Sequence, residues 1–159
     1  MPPTSNQMAT KSKTCRRCKK KTNLYSSTRN VCKPCRVEIR RLSITRSPEA
    51  FIRCSFLQLK NLRKHKAPDI EWTLTFEQAM KLFSKQKGRC ALTQHPMTWQ
   101  RASDQQNPYN ISIDRINSSG PYSLGNVHLV CKRVNMIRHT LNINDFVILC
   151  HQVAEHNPL

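Results

Sequence analysis

The chain has 159 residues, 27 Lys and Arg against 9 Asp and Glu, and a formal net charge of +18 at pH 7. That length suits one domain with a small satellite. No run approaches the ~18 apolar residues of a membrane span, and the opening MPPTSNQMATKSKT has no apolar signal-peptide centre. Membrane and secreted disulfide-miniprotein classes are therefore excluded, and an intracellular protein that binds a polyanion is expected.

The charge is concentrated at one end. Residues 1–66 carry 18 Lys and Arg against Glu38 and Glu49 alone, a net +16, whereas residues 67–159 carry 9 against 7 acids, a net +2. Contacts from such an arm to phosphates release counterions and give salt-dependent affinity. A nucleic acid is the expected partner. Residues 1–13 read as a disordered basic tail.

Eight cysteines are present, four of them as Cys15-x-x-Cys18 and Cys32-x-x-Cys35. Two such turns place four thiolates around one tetrahedral centre, the geometry Zn²⁺ prefers, in a segment too short for a core of its own. The neighbouring cations Arg16, Arg17, Lys19, Lys20, Lys21 and Lys33 favour the thiolate. The competing reading is a redox pair or two unrelated thiol turns. Residues 14–38 resemble a zinc ribbon or knuckle, with Leu24, Tyr25 and Val31 as apolar support and one structural Zn²⁺ expected.

Residues 39–68 read as a basic helical linker. A short helix over 36–46 carries Arg40 and Arg41. Ser47, Pro48 and Glu49 then supply N-cap, N1 proline and first-turn acid for a second helix. Its apolar residues Phe51, Ile52, Phe56, Leu57, Leu59 and Leu62 recur at helical spacing. Arg53, Lys60, Arg63 and Lys64 form a charged face, until Pro68 stops it. Such a helix can lie on a DNA backbone, pack on a domain, or do both.

Residues 69–159 form the larger domain. Thr75 and Gln78 make a capping-box pattern before Ala79, Met80, Leu82 and Phe83, and Gly88 ends that helix. Residues 94–110 read as a loop. Ile111 and Ile113 alternate with polar residues up to Asp114, a half-buried strand ending in a carboxylate. A turn-rich loop with Gly120, Pro121 and Gly125 leads to a returning strand opened by Asn126, and residues 132–140 suit a short helix. The fold class is thus α+β: a small N-terminal zinc module, a basic helical linker, and a C-terminal ββα unit over about 109–140 with flanking helices.

On these residues, with Gly88 and Cys90 before them and Asn144, Asp145 and Phe146 after, the chain resembles HNH endonucleases of the ββα-metal, or His-Me finger, class, in the style of phage and large-virus members. The resemblance implies a metal-dependent enzyme that nicks or cleaves DNA. It makes Asp114 and Asn135 ligands of Mg²⁺ or Mn²⁺, and Asn126 the residue that ties the loop to the first strand. One carboxylate and one amide leave coordination positions for phosphate and water.

The family's general-base histidine should follow the first-strand Asp, where this chain has Arg115. A guanidinium takes no proton from water but suits clamping a phosphate. His128 is the candidate base, or else a strand histidine beside the core; His139 is the second candidate. Expected DNA contacts are Arg16, Arg17, Lys19, Lys20, Lys21, Arg40, Arg41, Arg53, Lys60, Arg63, Lys64 and Arg138. The four-cysteine site of many such domains is half missing, Thr93 and Val134 standing beside Cys90 and Cys131, so no second zinc is expected. The alternative is a non-catalytic nucleic-acid-binding protein on a degenerate scaffold of the same kind.

Overall fold

The computed structural model describes residues 12–22, 30–101 and 107–158. The expected tail up to residue 11, Leu24, Tyr25, and residues 102–106 of the expected loop lie outside the described residues. The chain divides into two compact units between Ser43 and Ile44. It is mixed helix and small antiparallel sheets. Among the described residues no helix is long and apolar enough to cross a membrane.

In the first unit, β1 (Lys13–Thr14) pairs antiparallel with β2 (Lys21–Thr22), Lys13 opposite Thr22. The turn between them closes through Lys19 N–H to the Cys15 carbonyl at 2.9 Å, with Lys19 at φ 59°. The helix α1 spans Lys33–Thr45. It starts three residues earlier than the sequence suggests, because Pro34 sits in the first turn, where its missing N–H costs nothing.

The second unit begins its core with α2 (Pro48–Lys66), capped as expected by Ser47, whose hydroxyl accepts from Ala50 N–H at 3.1 Å. Phe51, Ile52 and Phe56 are buried in the main core. This corrects the expectation of a linker over 39–68: α2 packs on α3 and on the sheet below. Leu57 and Leu62, expected on its apolar face, are exposed. α3 (Phe76–Lys85) carries the complete Thr75–Gln78 capping box. Beyond it Gly88 sits at φ +68°, a conformation that favours glycine.

The site is built on β3 (Ile111–Arg115) and β4 (Val127–Cys131), antiparallel with Asp114 opposite His128. All of β4 is buried, and the Gln86 side chain pairs with both backbone groups of Leu129 on its open edge, at 2.7 and 3.0 Å. α4 (Lys132–Arg138) starts directly after β4. Its first N–H groups are taken by the carbonyls of Asn110 and Pro108, both 2.8 Å, which fixes the helix against the entry to β3. α5 (Ile143–His156) closes the described chain, with Asn142 as N-cap. Asn126 ends a 3₁₀ turn just before β4 and does not open the strand itself.

Candidate functional site

Two sites emerge, one in each unit. In the first unit the ligand atoms of Cys15, Cys18, Cys32 and Cys35 all lie within 4.8 Å of one another. The four-cysteine cluster is compatible with a structural zinc. Backbone hydrogen bonds from Cys32 and Cys18 lower the Cys15 thiol to about 6. The side-chain hydrogen bond with Cys32, together with burial and the other cluster sulfurs, pushes Cys35 up to about 12. Four sulfurs this close cannot all ionise without a cation among them, a charge that Zn²⁺ would supply.

In the second unit the ββα elements enclose a cavity of about 440 Å³, lined among others by Arg63, Asp114, Arg115, Lys132, Asn135, Arg138 and His139. Lys132, Asn135, Met136 and His139 recur at helical spacing along α4 and just beyond it, so a single stripe faces the opening. Asp114 comes from the end of β3 and is almost wholly buried. Its Oδ2 accepts from Arg138 Nε at 2.9 Å and from His128 Nε2 at 3.1 Å, and its Oδ1 from Arg138 Nη2 at 2.6 Å. Burial alone would raise this carboxyl, but the hydrogen bonds from His128 and Arg138 and the Arg138 charge outweigh it and hold Asp114 below the usual carboxylate range.

This geometry corrects two expectations. Arg138, expected at DNA, is 1% exposed. It is bound to Asp114 and to the carbonyls of Arg115 and Leu141. His128 donates to Asp114 and is buried away from the cavity lining, so it buttresses the carboxylate and is not placed to act as a base. His139 does line the cavity.

Asn135 donates its Nδ2 to Ser112 Oγ at 2.8 Å and to the Ile113 carbonyl at 3.4 Å. A carbonyl only accepts, which fixes the amide orientation. Its Oδ1 accepts from no described residue. Asp114 Oδ1 takes a single hydrogen bond. Both residues line the same cavity, and the Asp114 carboxylate there is already neutralised by the Arg138 guanidinium.

Arg115 is tied by Nη1 to the Gly120 carbonyl at 2.7 Å and lies 4.9 Å from the Tyr122 ring centre. Tyr122 stacks on Trp72 at 4.4 Å, and its hydroxyl accepts from Arg63 Nε at 3.1 Å. One buried aromatic therefore carries arginines from α2 and from β3. Burial, aided by Arg101, lowers the Lys132 ammonium from its usual range, so an anion in the cavity would be a welcome counter-charge.

The Asn126 side chain knits the loop to itself, its partners lying in the loop and not in β3: it donates to the carbonyls of Pro121 and Asn117, at 2.8 and 3.1 Å, and accepts from Asn117 N–H at 2.9 Å. A Cβ on Gly120 would stand 2.7 Å from Asn126 Nδ2. Gly120→Ala is thus expected to displace that amide and lower stability by about 1–2 kcal/mol, the worth of one or two hydrogen bonds, read as a reduced thermal midpoint.

Of the other expected DNA contacts, Arg16, Arg17, Lys19, Lys20, Lys21, Arg40, Lys60 and Lys64 are exposed. Arg17 also donates to the Cys35 carbonyl at 3.3 Å. Arg41 pairs with Glu38, while Arg53 pairs with Glu49 and lies over Phe76 at 3.8 Å. Sequence reasoning missed Ser112, Tyr122 and Lys132. Ser112 was within reach, lying two residues before Asp114 on the same strand face. No protein-family model, curated protein or solved structure matches the chain.

Proposed function

We propose that this chain is a metal-dependent endonuclease of the HNH kind, acting on DNA inside a cell and hydrolysing phosphodiester bonds. The observation that carries the reading is that Asp114, Asn135 and His139 open on one cavity whose other polar lining includes Arg63, Arg115 and Lys132. The DNA backbone is drawn in by those cations, and Arg115 and Arg63 fork the phosphate from the Tyr122 side. Asp114 and Asn135 would hold Mg²⁺ or Mn²⁺, which when bound supplies charge neutralisation at the pentavalent phosphorus and at the departing 3′ oxygen. His139 takes the proton from the attacking water, since an imidazole can give and accept one where the Arg115 guanidinium cannot. Arg138 and His128 hold the Asp114 carboxylate in place.

A second reading has its own observation. The Asp114 carboxylate is already matched by the Arg138 guanidinium, and Arg115 replaces the expected base, which suits a non-catalytic nucleic-acid-binding protein. Zinc-loaded protein freed of other metals, incubated with supercoiled plasmid with and without added Mg²⁺ or Mn²⁺, separates the two. Nicking is expected only with added metal, reduced about 10²-fold or more by His139→Ala and comparably by Asn135→Ala. Tight plasmid binding with no nicking under either metal establishes the second reading instead.

A further inference from the structure

The helix α5 presents an apolar stripe that its own unit covers only at one end. Ile143, Phe146, Cys150 and Val153 follow the three-and-four spacing of a helix seam, flanked by Val147, Leu149 and Ala154. Phe146 is the one buried residue of the helix. Beyond it the stripe runs into solvent, with Val147 43%, Leu149 47% and Val153 55% exposed, and Ile148 at its back 54% exposed. A 14-residue helix left this bare in water is marginal by itself, so a partner surface should complete it.

The charge pattern selects the partner. Residues 139–159 contain no Lys or Arg and two acids, Asp145 and Glu155, within a chain of net +18. Phosphate backbones and anionic lipid surfaces are both repelled by such a helix, and interfacial helices carry Lys and Arg on their polar face. Two copies of a chain this basic repel wherever their cations meet. Among the described α-helices α5 is the only one free of Lys and Arg. Asp145 in its first turn and His156 in its last lie on the same edge of the stripe. An antiparallel second helix centred near Cys150 therefore sets Asp145 of each copy beside His156 of the other, with the helix dipoles opposed.

We infer that α5 is the self-association face of this protein, pairing antiparallel with α5 of a second copy about a two-fold axis near Cys150. The inference does not depend on the nuclease reading. Sedimentation of the full, zinc-loaded, nucleic-acid-free chain should give twice the 18.5 kDa monomer mass at micromolar concentration. Leu149→Glu and Val153→Glu should each weaken association by about tenfold or more while leaving the thermal transition of the main core in place, because both side chains lie outside that core and are solvent-exposed in the single chain. A short bismaleimide should cross-link the wild type into dimers and fail to do so with Cys150→Ser. A wild-type protein that stays monomeric, or a dimer that survives both glutamate variants, overturns the inference.

Discussion

Replacing Asp114 by alanine is expected to destabilise the second unit by about 3–5 kcal/mol, the usual cost of leaving one half of a buried ion pair behind. Arg138 is 1% exposed and gives Asp114 two of its guanidinium donors. Without the carboxylate, that charge keeps its buried position, and no other acid lines the cavity beside it. The double variant Asp114→Ala, Arg138→Met removes both charges and keeps much of the volume, so it should recover a large part of the loss. Urea denaturation of the wild type, the single variant and the double variant measures the difference; equal stability of all three would show that the pair carries no weight.

The same pair sets an acid limit. The Asp114 carboxyl is held below its ordinary value of 3.8 in the folded chain. Its contribution is therefore fully present above that ordinary value, and it is lost as the pH falls through the lower, folded one. Wild-type stability should drop with acid below about pH 4, and this part of the drop should vanish in the double variant. A practical consequence follows for activity measurements. Asp114→Ala removes a cavity-lining carboxylate and strands a buried arginine at once, so loss of nicking in that variant would say little about chemistry. Asn135→Ala touches only two hydrogen bonds of one side chain, and is the cleaner probe.

Local physics made much of this fold legible in the sequence. The N-cap at Ser47, the box at Thr75 and Gln78, and the alternation through Ile111, Ile113 and the residues after Asn126 each involve groups a few positions apart, where spacing alone decides geometry. The paired cysteines are legible for a related reason, because a tetrahedral cation accepts few arrangements of two tight turns. What stayed hidden depends on register and return. His128 meets Asp114 only because the eleven-residue connection between the strands sets them opposite each other in the ladder. Arg138, one more cation in a cationic sequence, reaches back over 24 positions to the same carboxylate. The helix α2 looked like a linker because its charged residues dominate the composition, although Phe51, Ile52 and Phe56 place it in the core. Charge counts describe how a chain meets solvent and partners, not which element it packs on.

Removing zinc is expected to unfold the first unit while leaving the second folded. Among its described residues up to Ser43 the only buried side chains are Cys15 and Cys32, and its two strands have two residues each. Those described residues bury too little to offset the conformational entropy of ordering the chain, and a bound zinc would supply stabilisation of the order of 10–16 kcal/mol, as in comparable small sites. Hydrogen exchange should show protection over residues 12–22 and 30–43 collapsing when a strong chelator is added, with β3 and β4 unchanged. Cys32→Ser should reproduce that loss in the presence of zinc, since Cys32 both supplies a sulfur and donates its N–H to Cys15 Sγ at 3.4 Å. Protons compete with the metal for the same sulfurs, and acid should therefore release it. The thermal transition of the Ile44–Leu159 unit should persist throughout, because Cys90 and Cys131 are buried among the apolar residues of its core. Elemental analysis near one zinc per chain agrees with this assignment. A value near two would make those two thiols ligands, and a first unit that keeps its exchange protection without metal would remove zinc from its folding altogether.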